Sequence, residues 1–140
     1  MSAATPAAQP VRLSFAPKTR VCAERVFLCS CDGTVAGSVR LHEGDRDNEM
    51  LLVIDSFVGE KNSRLSTSDA GRVVQFVRHG DIQNLYRMDE EYTPFYCPKC
   101  DAVYCGDCWR HWPVFADDHP GWFEEMRGVC PAGHQRRLTD

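Results

Sequence analysis

The C-terminal third of the chain carries three closely spaced pairs of metal-ligating residues. Two are Cys-x-x-Cys pairs and the third joins a cysteine to a histidine four positions later. Thiolates and imidazoles at such spacings are the donors that tetrahedral zinc requires, so we predict a zinc-binding module here. The pairs are Cys97 with Cys100, Cys105 with Cys108, and Cys130 with His134.

Six donors are too many for one tetrahedral ion and too few for two closed sites. Because His111 and His119 raise the number to eight, we predict two zinc ions, with a single ion as the alternative. Asp117 or Asp118 could replace His119, and an ordinary surface role for either histidine stays open. The sequence does not fix how the pairs combine. An alternating arrangement, first with third and second with the histidines, avoids a tight closure across the four residues between the first two pairs.

Three cysteines stand apart from this module. Cys29 and Cys31 lie in the apolar run VFLCSC, where alternation would place both side chains on one face of a strand. We expect them to be buried thiols in a small core, with a further metal or redox pair as the alternative. The sequence assigns no role to Cys22.

The residues before position 92 predict an α+β domain. Apolar and polar residues alternate in short runs separated by turn residues such as Asp32-Gly33, which is typical of antiparallel strands. The apolar period then becomes helical, and Ser66 with Asp69 forms a capping box. The predicted helix covers residues 67–79 and ends at Gly80. The predicted strands cover residues 11–15, 26–31, 34–42 and 50–58.

These patterns divide the chain into three parts. Residues 1–10 are predicted to be a disordered tail, residues 11–91 the α+β domain and residues 92–140 the zinc-binding module. The predicted fold class is therefore α+β, with a small antiparallel sheet and one helix followed by a C-terminal zinc-stapled module. Nine of the fourteen aromatic residues fall after position 91. We expect most of them to pack around the metal sites, since so short a module buries little apolar surface.

Composition and charge narrow the functional classes. The net charge of -4 disfavours nucleic-acid binding, which stays an alternative through Arg136 and Arg137. No apolar run approaches the ~20 residues that span a bilayer, and the first ten residues lack the features of a signal peptide, so a cytoplasmic protein is expected. The H-E-x-x-H and zinc-deaminase patterns are absent, which disfavours catalysis. A thiol redox protein or a zinc-dependent enzyme is the further alternative.

Residues 95–134 resemble the cross-braced and treble-clef zinc fingers, a group that includes RING, in-between-RING, MYND and ZZ domains. The similar segments are Cys97-Pro-Lys-Cys100, Tyr104-Cys-Gly-Asp-Cys108-Trp109, His111 and the Cys130/His134 pair. The resemblance implies a non-catalytic protein-interaction module, such as a RING-like adaptor or ligase-like component of a ubiquitin-like transfer system. Another protein is thus the expected partner. The partner-facing candidates are Pro98, Lys99, Trp109, Trp112 and Trp122.

Overall fold

The computed structural model describes residues 20–44, 49–119 and 121–140, and these residues form an α+β fold. Four strands make one antiparallel sheet in the order β1-β2-β3-β4, and two helices follow it. The C-terminal part adds a two-stranded and a three-stranded antiparallel sheet. The first sheet consists of β1 (Val21–Leu28), β2 (Val35–Glu43), β3 (Glu49–Ser56) and β4 (Gly59–Ser66), and the helices are α1 (Thr67–His79) and α2 (Ile82–Met88).

The two C-terminal sheets are short. A 3-10 turn, Glu90–Tyr92, leads into β5 (Tyr96–Cys97), which pairs with β6 (Ala102–Val103). The larger sheet has the order β7-β8-β9, and its first two strands form a long hairpin. Its strands are β7 (Arg110–Phe115), β8 (Phe123–Val129) and β9 (Gln135–Thr139).

Within the described residues, the observed strands differ from the predicted ones in the bounds of β1, which starts at Val21, in the end of β3 at Ser56, and in the presence of β4. The strand expected over residues 26–31 is β1, which ends at Leu28 and leaves Cys29 and Cys31 in the turn that follows. The strand β4 was not predicted, because its sequence GEKNSRLS is polar and only Leu65 is buried. Charged and polar residues are typical of an edge strand, where they disfavour pairing with another chain, and β4 lies at the edge of its sheet. The predicted strand over residues 11–15 and the tail over residues 1–10 lie outside the described residues.

The predicted helix is confirmed as α1, but the prediction of a single helix is wrong, because the seven-residue helix α2 follows after the Asp81 cap and is too short to show a clear helical period. The Ser66 hydroxyl accepts a hydrogen bond from the backbone N–H of Asp69 at 3.3 Å, and Gly80 ends the helix in the left-handed conformation with φ 65°. Arg25 adds a second C-terminal cap, because its guanidinium donates to the carbonyls of Val77 and Arg78. The buried face of α1 consists of Ala70, Val73 and Val77.

One core cluster contains residues from both sides of position 91. The rings of Phe27 in β1 and Phe95 lie 5.4 Å apart, and Gly37 in β2 leaves the space that the Phe95 ring fills. Phe95, which follows position 91, therefore packs on the N-terminal sheet. The division of the chain near residue 91 stays a prediction. Among the described residues, no helix has the length and apolar character needed to cross a membrane.

Candidate metal centres

Cluster A consists of Cys97, Cys100, Cys130 and His134, which come from two segments of the chain. The Nδ1 atom of His134 lies 3.6 Å from the Cys97 Sγ, 3.3 Å from the Cys100 Sγ and 3.5 Å from the Cys130 Sγ. The Sγ atoms of Cys100 and Cys130 are 3.7 Å apart. Four donor atoms thus surround one point, which is the arrangement of a closed tetrahedral site.

Two tight turns bring the donors of cluster A together. Cys97 ends β5, and Asp101, with φ 53°, turns the chain back into β6 just after Cys100. Cys130 follows β8, and the turn to His134 is closed by hydrogen bonds from Gly133 N–H to Cys130 O and from Cys130 N–H to His134 O, both 2.9 Å. Gly133 has φ 90°, a conformation that favours glycine. The backbone N–H of His134 also donates to the Cys130 Sγ at 3.4 Å.

Cluster B consists of Cys29, Asp32, Cys105 and Cys108. The Cys108 Sγ lies 3.6 Å from the Cys29 Sγ and 3.7 Å from the Cys105 Sγ. The Oδ2 atom of Asp32 is 3.4 Å from the Cys105 Sγ and 4.0 Å from the Cys108 Sγ. This cluster joins the turn between β1 and β2 to the second Cys-x-x-Cys segment.

Local hydrogen bonds shape both halves of cluster B. In the turn after β1, the N–H of Cys29 donates to Thr34 O at 2.7 Å, and Asp32 Oδ1 accepts from the Thr34 N–H and hydroxyl at 3.0 and 2.7 Å. In the second half, the N–H groups of Cys108 and Trp109 both donate to Cys105 O. The Ser30 N–H donates to Val103 O at 2.8 Å, which ties the turn to β6.

Backbone donors favour the thiolate form that metal binding requires at two of the sulfur atoms, whereas burial raises the pKa of the Cys97 and Cys108 thiols. Burial raises the pKa of Cys29 and Cys130, but N–H groups of neighbouring residues outweigh it and leave both pKa values below the ordinary one. Burial raises the pKa of Cys97 to about 11. Hydrogen bonds from Thr34 hold the pKa of Asp32 at about 2, so this carboxylate is charged at neutral pH.

The family comparison covers both clusters. The model of the family described as "Domain of unknown function (DUF8328)" matches residues 19–140 of the 140-residue chain. The chain belongs to this family. No curated protein and no solved structure matches the chain. The DUF8328 match begins before β1 and runs to residue 140, so both halves of cluster B lie inside the family's range.

The DUF8328 chain places His111 and His119 outside both clusters. The ring of His111 packs on Phe57 with 4.9 Å between ring centroids, and the ring of His119 stacks on Trp122 at 4.4 Å. Asp117 and Asp118 are exposed in the same loop. The positions expected for the two histidines beside the Cys105/Cys108 pair are taken by Cys29 and Asp32.

The sequence pattern did not predict that Cys29 would lie in cluster B. The prediction of two buried thiols is confirmed for Cys29, which is 4% exposed, and is wrong for Cys31, which is exposed. The strand β1 ends at Leu28, and the turn carries Cys29 across to Cys108. The Asp32-Gly33 turn signal next to two cysteines was the available indication. All eight cysteines of the chain are free thiols.

The partner-facing candidates are not equally accessible. Pro98 and Lys99 are exposed, and Trp112 and Trp122 are 36% and 66% exposed. Trp109 is only 2% exposed, and its indole N–H donates to Phe95 O at 3.3 Å. Trp109 is therefore a core residue that a docked partner does not reach.

The basic pair near the C-terminus is engaged within the chain. Arg136 donates to the backbone carbonyls of Glu90, Thr93 and Tyr96 at 2.9, 3.0 and 2.6 Å. Arg137 forms an ion pair with Glu90 at 3.0 Å. The two guanidinium groups thus have partners in the fold, and nucleic-acid binding through them stays an untested alternative.

Proposed function

We propose that the chain is a non-catalytic, zinc-binding protein-interaction domain. The distances in cluster A carry the proposal. Zinc bonds of about 2.3 Å to sulfur and about 2.0–2.1 Å to nitrogen, in a tetrahedron, place sulfur about 3.6 Å from nitrogen and about 3.8 Å from another sulfur. The sulfur-to-nitrogen distances of 3.3–3.6 Å and the sulfur-to-sulfur distance of 3.7 Å fit that geometry.

The donor sets favour a structural role for the metal over a catalytic one. Each cluster supplies four protein donors, whereas a catalytic zinc keeps a position for water or substrate. In cluster B the sulfur-to-sulfur distances of 3.6 and 3.7 Å fit a second zinc in the same way. Each zinc ion would then link two segments that lie far apart in the sequence.

The β7–β8 hairpin is the surface that such a scaffold would present. Cys108 precedes the first strand of the hairpin by two residues, and Cys130 follows its last strand directly. Metal in both clusters would therefore fix both ends of the hairpin. Exposed aromatic side chains are frequent anchors of protein interfaces. The hairpin carries four exposed aromatic residues, Trp112, Phe115, Trp122 and Phe123.

The order of the donors supports the adaptor role implied by the resemblance to cross-braced fingers. Along the chain the donor pairs alternate between cluster B, cluster A, cluster B and cluster A. This alternation is the defining connectivity of a cross-brace. Three strands of the first sheet, β2 to β4, and two helices separate the first pair from the second, so the adaptor proposed here would carry its own second domain.

Two measurements on the full chain test this function. Native mass spectrometry with elemental analysis, on protein purified without added metal, should give two zinc ions per chain. In affinity capture, Trp122→Ala should lose a partner protein that the wild type binds. Val35→Ala, which shortens an equally exposed apolar residue outside the hairpin, should retain that partner. A metal-free folded chain, or a partner that binds both variants equally, would contradict the proposal. A partner that belongs to a ubiquitin-like transfer system would specify the adaptor role.

A further inference from the structure

A further thiol, Cys31, lies next to cluster B, outside the four donor atoms that lie within 4.8 Å of one another. The backbone N–H of Cys31 donates to the Cys29 Sγ at 3.4 Å, and the Cys31 side chain is among the groups that raise the pKa of Cys108, after burial. Cys31 is exposed and lies in the turn, where no strand pairing restrains it. With Cys31 included, five donor residues lie at or next to a tetrahedral site that takes four, so one of them does not bind the metal.

We propose that Cys31 is the fourth zinc ligand of cluster B and that Asp32 stands beside the metal without binding it. The site would then be closed by the thiolates of Cys29, Cys31, Cys105 and Cys108. This inference rests on the proposed function, because it assigns the ligands of one of the two proposed zinc sites.

The backbone geometry of Cys31 repeats a feature of cluster A. There, His134 N–H donates to the Cys130 Sγ at 3.4 Å, so the second donor of a pair binds the sulfur of the first through its own backbone. In cluster B the residue with the same relationship to Cys29 is Cys31, at the same distance. The N–H of Asp32 also contributes to the lowered pKa of Cys29, so this feature brings Cys31 to the cluster and the choice between the two residues rests on their side chains.

The contacts of Asp32 with cluster B depend on thiol protons. Cys105 and Cys108 donate S–H hydrogen bonds to the Asp32 Oδ2 atom. Zinc binding removes those protons, because the thiolate is the ligand, and the carboxylate then faces two negative sulfur atoms. The Oδ1 atom keeps both hydrogen bonds from Thr34, so Asp32 holds its place in the turn without a bond to the metal.

The chemistry of the metal favours the same choice. Structural zinc sites are built mainly from cysteine and histidine, and soft thiolates select zinc over the hard cations that carboxylates prefer. A site with four thiolates and a carboxylate would add a fifth, anionic ligand to an ion that prefers four. Of the two residues, Cys31 and Asp32, Cys31 is therefore the expected zinc ligand.

Cadmium-113 NMR of the full chain, reloaded with two equivalents of cadmium, tests the assignment site by site. The resonance of a cadmium ion moves upfield when an oxygen ligand replaces a thiolate. We expect two resonances in the wild type, and Cys31→Ser should move the cluster B resonance upfield. Asp32→Asn, which can keep the hydrogen bonds of the turn, should leave both resonances in place. Cys22→Ser, outside both clusters, is the matched cysteine control.

The cluster A resonance serves as the folding control in every variant. A cluster B resonance that Cys31→Ser leaves in place, or that Asp32→Asn moves as far as Cys31→Ser does, would overturn the assignment of Cys31. Both results would leave the proposed function standing, since two ions would still be bound. A wild-type chain that binds fewer than two cadmium ions would instead contradict the proposed function itself.

Discussion

The Sγ atoms of Cys29 and Cys108 lie 3.6 Å apart although 79 positions separate the two residues in the chain. In cluster A the corresponding separations are 30 positions for Cys100 and Cys130 and 37 for Cys97 and His134. A metal ion at either cluster would therefore close a long loop of the unfolded chain, and its binding free energy would become folding free energy.

Cluster A should be needed for the fold of the C-terminal sheets. Cys130→Ser replaces a buried thiolate ligand, and we expect the chain to lose one zinc ion and the β7–β9 sheet to lose its structure. Structural zinc contributes roughly 10–16 kcal/mol in small zinc-finger peptides at neutral pH, far more than one other interaction supplies. Elemental analysis and near-UV circular dichroism would measure the two losses. Cys22→Ser is the control, and two retained zinc ions in Cys130→Ser would contradict the prediction.

Cluster B should connect the turn after β1 to the segment before β7. Cys29→Ala removes a buried donor of this cluster and should reduce the zinc content to one ion per chain. Because cluster A keeps its donors, we expect the loss of protection from hydrogen exchange to centre on residues 29–34 and 105–108. Hydrogen-exchange mass spectrometry would show it. Faster exchange spread evenly over the strands β1 to β9 of the described residues would mean that the two clusters do not act as separate links.

The parts of the fold that could be predicted from the sequence are those that residues close together in the chain specify. Helix α1 is specified by residues close to each other in the chain, from the Ser66 cap to Gly80, and the Cys-x-x-Cys pairs are specified by spacing. The contact of Cys29 with Cys108 depends on where β1 ends and on how the C-terminal part packs, which no local pattern contains. The hydrogen bonds of Arg136 could not be predicted either, because the sequence around it is typical of a solvated tail.

Arg136 should be a structural residue. Its guanidinium donates hydrogen bonds to the backbone carbonyls of Glu90, Thr93 and Tyr96. The same group lies over the Tyr86 ring, 5.3 Å from the ring centroid. Arg136→Ala leaves those carbonyls without their donor and should lower the free energy of unfolding by about 3 kcal/mol. Urea unfolding with zinc in excess would measure it. Arg72→Ala, on the exposed face of α1, should change stability by less than about 0.5 kcal/mol, and equal effects of the two variants would contradict this role.

Gly37 should be required where β2 passes beneath Phe95. A Cβ atom at this position would lie 2.4 Å from the Phe95 ring and 2.8 Å from Asp55 O, so Gly37→Ala must displace a ring of the core. We expect a loss of about 1–3 kcal/mol in the free energy of unfolding. The control is Gly71→Ala in α1, where a Cβ atom would meet nothing within 4 Å. This substitution should stabilise the helix by about 0.5–1 kcal/mol. Opposite signs for the two substitutions are the expected result, and matching signs would contradict the packing described.

Glu91 should make the stability of the chain depend on pH in the acid range. Its side chain is 9% exposed and accepts hydrogen bonds from the Lys61 ammonium, the Thr139 hydroxyl and the Asp140 N–H. Burial alone would raise the pKa of Glu91, but the bonds from Lys61 and Asp140 outweigh it and hold the pKa below the ordinary value of 4.5.

A lowered pKa in the folded state means that the carboxylate stabilises the fold above pH 4.5, and that this contribution is lost as the pH falls through the folded pKa. Glu91→Gln should therefore cost about 1–3 kcal/mol at pH 7, and the difference from the wild type should shrink below pH 4.5. Urea unfolding of both proteins across that range would measure it. Protonation of the zinc ligands affects both proteins alike, so the difference between them isolates Glu91. Glu60→Gln, an exposed neighbour in β4, should show no such convergence, and a Glu91→Gln deficit that stays constant with pH would mean that the carboxylate acts through packing rather than through its charge.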